Sequence, residues 1–318
     1  MQNYCIGIDI GGTVIKGALF ASNGSLVQKR SVETLADKGR DAVLKNLTAL
    51  IHSLHSTDKR VSAVGIGVAG VLDQHKEVLL QSPNIKVLEQ VPLQKMLGES
   101  LHLPVFLEND ANAAALGEKW AGAGRELDNF LLITLGTGIG GGFILNNELW
   151  SGENGKAGEL GHMVVATDGQ LCSCGKRGCL EAYSSATAIK RMAQDALRAG
   201  ACSGLQNLSG GDFSAIDAEM VHQAALQGDA VSRNVFKQMA RYLAIGISNV
   251  NNLLDIHSFI IGGAVSNAFE VFGPFLLDEV KRQVYRISRD TIRIFVSELG
   301  NDAGAYGAAY LGLQRLKG

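Results

Sequence analysis

Residues 130–145 read Phe130-Leu131-Leu132-Ile133-Thr134-Leu135-Gly136-Thr137-Gly138-Ile139-Gly140-Gly141-Gly142-Phe143-Ile144-Leu145. An apolar, β-rich run (Phe130–Leu135) enters a glycine loop, and a second run (Phe143–Leu145) leaves it for an Asn146-Asn147 turn. The same phrase occurs near the N-terminus, where Tyr4–Ile10 reads as a strand, Gly11-Gly12 as a turn and Val14–Phe20 as a second strand. Strand, glycine turn, strand, written twice, predicts a weak internal duplication: two related α/β lobes facing a cleft.

Working outward, Ser22-Asn23-Gly24-Ser25 signals a hairpin into a third strand ending near Glu33. Val43, Leu44, Leu47, Leu50, Ile51 and Leu54 recur at helical spacing. Val61–Val68 and Pro104–Leu107 read as strands, and an alanine-rich helix starts near Asp110. Downstream, Gly152–Glu181 is polar, glycine-rich and without period. Val231, Val235, Met239, Leu243, Ile247, Val250 and Leu254 mark a long amphipathic helix. A strand (Ile256–Ile261), a Gly262-Gly263 turn, a helix near Phe269–Val284, a strand (Ile292–Val296) and a closing helix from about Ala303 complete the chain.

Composition narrows the classes. The 318 residues are 46% apolar and 19% charged, which supplies a real core and excludes disorder as the main state. A net charge of −2 gives no basic footprint for nucleic acid. Glycine is abundant, 39 residues against 4 prolines, which suits an enzyme with many close backbone approaches. The uncharged stretch from Asn129 to Asn147 is broken by glycines and does not read as a membrane span. Met1–Ile10 lacks the pattern of a signal peptide, so a cytoplasmic location is expected.

Four motifs could carry chemistry. Asp9-Ile10-Gly11-Gly12-Thr13, with Lys16 beyond it, is either an anion-binding turn or an ordinary hairpin. Gly136, Gly138 and Gly141, like Gly65, Gly67 and Gly70, satisfy the spacing of the dinucleotide fingerprint, but no helix opens after either set. A hairpin wrapping phosphates fits better, and a nucleotide-dependent oxidoreductase, which would need a helix after Gly141, does not. His162, Cys172, Cys174 and Cys179 form a complete tetrahedral zinc set with no open position, hence a structural site; the bland alternative is unrelated thiols. In Glu108-Asn109-Asp110-Ala111-Asn112, Asp110 by itself reads as a helix N-cap, and a carboxylate at a cleft is the functional alternative. Glu159 and Glu181 are either solvated acids or groups fixed in space by the neighbouring metal.

Together these segments resemble the ROK family of bacterial sugar kinases, repressors and related proteins, over essentially the whole chain. Gly158-Glu159-Leu160-Gly161-His162 and Cys172-Ser173-Cys174-Gly175-Lys176-Arg177-Gly178-Cys179-Leu180-Glu181 carry most of the resemblance. Asn109-Asp110, Leu135–Gly142 and Ile261-Gly262-Gly263-Ala264 also match. Trp150–His162 and Glu181–Ala186 look like the sugar-side segments of the glucokinase branch.

The resemblance implies a two-lobed actin/hexokinase-like (ribonuclease-H-like) ATPase fold. Its lobes would be 1–112 plus 303–318, the smaller, and 113–302, the larger, with the zinc segment at 162–179. Asp9, Gly11, Gly12, Thr13 and Lys16 would face the phosphates of Mg-ATP, with Gly136, Thr137 and Gly138 opposite and Gly262 and Gly263 beside the adenosine. Asn84, Asn109, Asp110, Glu159, His162 and Glu181 would hold a hexose, with Asp110 the general base. Zinc would fix His162 by one ring nitrogen. Glucose is the expected substrate, with N-acetylmannosamine, fructose or allose as alternatives, and a homodimer is expected. The resemblance also implies that the family's sugar-sensing repressors carry an N-terminal DNA-binding head; with Asp9 nine residues from the start and a net charge of −2, no such head is expected.

Overall fold

The computed structural model describes residues 3–55 and 59–316; residues 1–2, 56–58 and 317–318 of the expected smaller lobe lie outside them. Strands β1 (Tyr4–Ile10), β2 (Val14–Ala21), β3 (Leu26–Glu33) and β4 (Val61–Val68) are followed by a short hairpin, β5 (Val71–Leu72) and β6 (Leu79–Gln81), and by β7 (Val105–Asn109). Later come β8 (Phe130–Leu135), β9 (Ile139–Leu145), β10 (Glu148–Trp150), β11 (Ser258–Gly262) and β12 (Arg293–Val296). The helices are α1 (Arg40–Leu54), α2 (Leu93–Leu101), α3 (Asp110–Ala121), α4 (Glu181–Ser184), α5 (Ala186–Arg198), α6 (Leu205–Leu208), α7 (Ala218–Leu226), α8 (Ala230–Leu254), α9 (Phe269–Gln283) and α10 (Ala303–Arg315).

The strands form two five-stranded sheets, ordered β3-β2-β1-β4-β7 and β10-β9-β8-β11-β12. Counted from its own first strand, each runs third, second, first, fourth, fifth, so the repeated strand–turn–strand phrase marks a repeated sheet. In the first sheet β1, β2 and β3 are antiparallel neighbours, while β1, β4 and β7 run parallel. Ile10, Val68 and Asn109 therefore finish three parallel strands at one edge, the edge at which open α/β sheets place ligands.

By contacts the chain forms two compact units: residues 1–132, 142–158 and 297–318, and residues 133–141 and 159–296. In the first, Ile6, Ile8, Val64 and Ile66 join Leu47, Leu50 and Ile51 of α1 in a buried core. On the sheet, α10 packs backbone to backbone. A Cβ on Gly7 or Gly65 would strike the carbonyl oxygens of Ala305 or Ala308, and one on Gly307 would strike that of Ala113 in α3. The absence of side chains lets α3 and α10 cross this closely. In the second unit, α8 buries Val235, Met239, Leu243 and Ile247, as its spacing predicts. Among the described residues no helix is long and apolar enough to cross a membrane.

The structure corrects three local expectations. The strand after the glycine loop starts at Ile139 rather than Phe143, leaving a loop of only Gly136–Gly138 between strands. Alternate glycines still permit the pleat, and the ladder takes them in. The β5–β6 hairpin and β10 were not expected, because each is too short to show a period. The N-cap of α3 is Asn109, whose Oδ1 accepts from the Ala111 and Asn112 N–H groups; Asp110 is the first helical residue.

Candidate active site

Sheet register assembles the first group of site residues. Asp9 pairs with Lys16 across β1–β2 and with Gly67 across β1–β4, and Gly67 in turn pairs with Glu108 of β7. At Gly67 a Cβ would crowd Ala113 of α3, so glycine there lets the helix start close over the sheet. This brings Asp110 within electrostatic reach of Asp9. Burial pushes Asp9 up to about 6, the Asp110 charge adds to the rise, Lys16 opposes it, and Asp302 adds further. Burial also raises Asp110, against lowering by backbone N–H groups at the start of α3 and by the Asn109 amide. The Asn109 Nδ2 donates to Asp110 Oδ1 at 3.0 Å and to the Gly70 carbonyl at 3.1 Å.

The residues of this unit expected on the nucleotide side lie close by. Gly11 closes its turn through an N–H bond to the Val14 carbonyl at 3.1 Å, while Thr34 Oγ1 donates to the Gly11 carbonyl at 2.7 Å. Thr13 is exposed. A Cβ on Gly12 would sit 3.0 Å from that of Asn84, so Asn84 lies against this turn. The Lys16 ammonium donates to the Asn301 carbonyl at 3.1 Å. Gly304, in the first turn of α10, leaves room for the Asp9 carboxylate, since its Cβ would lie 3.0 Å from Asp9 Cγ.

In the second unit, Gly136–Gly138 bends over the start of α5. Gly136 O accepts from Ala186 N–H at 2.8 Å, and Thr137 O accepts from Thr187 Oγ1 at 2.8 Å. Glu181 Oε2 accepts from Ile139 N–H at 3.0 Å, in space that a Cβ on Gly138 would occupy. Glu181 Oε1 accepts from the Ser173 hydroxyl at 3.0 Å. Gly263, at φ 79°, closes against the Leu135 backbone just after Gly262 ends β11.

His162, Cys172, Cys174 and Cys179 meet, with their donor atoms all within 4.8 Å of one another. A Leu171↔Arg177 bridge and the Cys172 N–H bond to Lys176 O at 2.8 Å close the knuckle. Cys174 and Cys179 sulfurs are 3.7 Å apart, and Cys172 Sγ is 3.7 Å from His162 Nδ1. Tetrahedral zinc with ~2.3 Å bonds to sulfur holds sulfurs about 3.8 Å apart, so the donors fit that ion in kind and spacing. Burial pushes the Cys179 thiol up to about 12, whereas the Lys176 backbone N–H holds Cys174 below its ordinary value. With Nδ1 on the cluster, His162 turns Nε2 toward Glu159 Oε2, 3.9 Å away.

Sequence reasoning missed Lys76, Ser151 and Asp302. Lys76 pairs with the buried Glu108 and donates to Ser151 Oγ at 3.1 Å. Glu108 Oε1 accepts from Asn109 N–H at 3.0 Å and from Asn112 Nδ2 at 3.1 Å. A carboxylate on the residue before Asn109-Asp110 was the available signal. Lys76 and Ser151 stand in polar turns and gave none.

Two α/β sheets of one strand order, each with an acid and a glycine turn beside its first two strands, are features of the actin-like class of sugar kinases and their relatives. The ROK family model matches residues 5–315, and the chain belongs to the ROK family. It is 37% identical over 314 residues to a glucokinase of Thermotoga maritima, covering 98% of each chain. A xylose repressor of Caldicellulosiruptor bescii is 30% identical, over 95% of this chain and 76% of the repressor. The crystal structure of a ROK glucokinase from Streptomyces griseus in complex with glucose and AMPPNP superposes with a TM-score of 0.85 at 36% identity, covering 98% of this chain and 99% of that one.

Proposed function

We propose that the chain is an ATP-dependent glucokinase, transferring the γ-phosphoryl group of Mg-ATP to the 6-hydroxyl of glucose with Asp110 as general base. Its near full-length similarity to glucokinases supports the activity. The observation that carries the mechanism is Asp110 itself, a carboxylate raised by burial and held by the Asn109 amide. A base works best when its pKa approaches the working pH, and burial moves Asp110 in that direction. As O6 attacks, its proton passes to the Asp110 carboxylate. The O6–phosphorus bond forms while the bond from the γ-phosphorus to the β–γ bridging oxygen breaks, and ADP leaves.

Asp9 and the N–H groups around Gly11, Gly12 and Thr13, with Lys16, serve the phosphates. Gly136, Thr137 and Gly138 form the second phosphate loop, and Gly262 and Gly263 flank the adenosine. Magnesium, arriving with the nucleotide, neutralises phosphate charge. Asn84, Asn109, Glu159, His162 and Glu181 take sugar hydroxyls. Glu181 does so by exchanging the Ser173 hydroxyl that its Oε1 accepts now. A structural zinc on His162, Cys172, Cys174 and Cys179 fixes the imidazole through Nδ1 and leaves Nε2 for the sugar.

We carry the lobe division at 112/113 and 302/303, the homodimer and a cytoplasmic setting as parts of the same reading. All five cysteines are unpaired, the form that setting maintains. The deciding experiment is ADP release with Mg-ATP across hexoses and N-acetylhexosamines, with Asp110→Asn as control. Turnover confined to glucose and abolished in the variant is expected. Preference for another hexose changes the substrate and keeps the mechanism. Binding without turnover moves the reading to a sugar-sensing regulator.

A further inference from the structure

We propose that Lys76 is a positioning residue. Its ammonium ties three segments that bear hexose-side residues and thereby holds Asn109 and Asp110 in working orientation. The inference rests on the kinase reading, which assigns those residues to the sugar.

The first segment is the β5–β6 turn that carries Lys76 and runs on to Asn84. The second is the end of β7, where Lys76 Nζ bonds Glu108 Oε2. The third begins at Ser151, whose Oγ accepts from Lys76 Nζ at 3.1 Å, and continues in sequence to Glu159. Glu108 is 1% exposed and Lys76 17%, so their pairing is shielded from water. From Glu108 the contact passes to the reacting group in named steps. Oε1 accepts from Asn109 N–H at 3.0 Å and Asn112 Nδ2 at 3.1 Å, and the Asn109 side chain caps α3 and donates to Asp110 Oδ1.

Two observations argue that this lysine is more than a stabilising charge. A buried ion pair is weak evidence for stability, because apolar residues of similar volume often serve as well. Lys76 also occupies left-handed backbone, φ 59°, which costs a residue with a Cβ. The turn that enforces it is fixed by Asp73, whose Oδ1 accepts from Glu77 and Val78 N–H at 2.7 Å each and whose Oδ2 accepts from His75 N–H at 3.2 Å. Strain maintained by surrounding bonds points to a use, and the reach of Nζ supplies one.

The test is steady-state kinetics plus hexose calorimetry on the full chain and on Lys76→Met, Ser151→Ala and Lys76→Met/Glu108→Gln, with melting curves to establish folding. Lys76→Met should lower kcat/KM for the hexose about 10- to 100-fold, as misplacement of a catalytic group by about 1 Å can, and leave KM for ATP unchanged. The double variant, in which the amide oxygen still accepts from Asn109 N–H and no buried charge is left over, should keep most of the hexose loss, since the ammonium that ties the segments is still missing. Ser151→Ala, a smaller change that leaves the Lys76–Glu108 pair in place, should lower the hexose parameters alone. Hexose kinetics and affinity equal to the parent's in folded Lys76→Met or in Ser151→Ala would overturn the proposal. So would hexose and ATP parameters falling together, or full recovery in the double variant, which would assign the loss to an unpaired Glu108 charge. A parent that binds hexose without turnover defeats the kinase reading only, and positioning is then judged from hexose Kd in the same variants. A parent that binds no hexose defeats both.

Discussion

Beside the Gly11-Gly12 turn, Asp9 and Asp110 bring two like charges together, and burial raises both. Beside the Gly136–Gly138 turn, Glu181 has hydrogen-bond donors on both oxygens: the Ile139 N–H and the Ser173 hydroxyl. The two turns occupy corresponding places in sheets of the same strand order, yet their carboxylates have different work. The first pair is left hungry for protons or cations. The second acid uses one oxygen, Oε2, to hold a loop and keeps the other on a hydroxyl that can be exchanged. Close backbone approach provides the room in both, and the donors that fill it decide between reactivity and scaffolding.

The largest effect that separates the turns is expected at Asp110. Asp110→Asn should lower kcat about 10²- to 10⁴-fold while hexose binding, followed by calorimetry, largely survives. An equal loss of binding would make Asp110 a recognition residue and erase the contrast. Next comes the metal. Purified protein should hold about one zinc per chain, and chelation should disorder Gly161–Glu181 and weaken hexose affinity, read by circular dichroism and calorimetry. Metal analysis well below that stoichiometry ends this idea.

A smaller effect tests the scaffolding role of Glu181. Gly138→Ala forces a methyl group onto Glu181 Oε2 and should cost about 1–3 kcal/mol in thermal melts. Gly136→Ala is the control, since its Cβ meets nothing within 4 Å. Equal melting of the two variants would remove the steric argument. The smallest effect belongs to Asp9. Its folded-state value of about 6 exceeds the ordinary 3.8, so the folded chain binds that proton more tightly than the unfolded chain. The resulting stabilisation is full below the unfolded value and is lost as pH rises through about 6. Asp9→Asn, which cannot ionise, should therefore melt above the parent near neutrality and gain nothing at the acid end. Melting curves across that range check the sign.

Much of the fold was legible because its signals are local. Strands announced themselves by apolar runs ending in glycine, and α8 by its unbroken helical beat. The meeting of His162 with Cys172, Cys174 and Cys179 was legible for the same reason: three thiols crowd within 172–179, and the imidazole ends a distinctive Gly158–His162 run. What stayed hidden depends on register. Nothing near Asp9 in sequence says that Asp110 lies beside it; that follows from β1, β4 and β7 running parallel with Gly67 between. Lys76 was invisible because a charged residue in a polar turn normally faces water. The exchange of cap between Asn109 and Asp110 is a one-residue error between side chains that cap equally well.

The crossing of α3 and α10 has a consequence for reading natural variation in this chain. Both helices begin at acids of interest, Asp110 and Asp302, and their spacing is set where Gly307 meets the Ala113 backbone and Gly117 that of Ala303. Only backbone atoms, and no side chain, are at stake in those contacts. A change of glycine to alanine there, mild on any scale of chemical similarity, lifts one helix off the other and carries both acids with it. Genetics would score such a position as indispensable, although nothing at it ever touches a substrate.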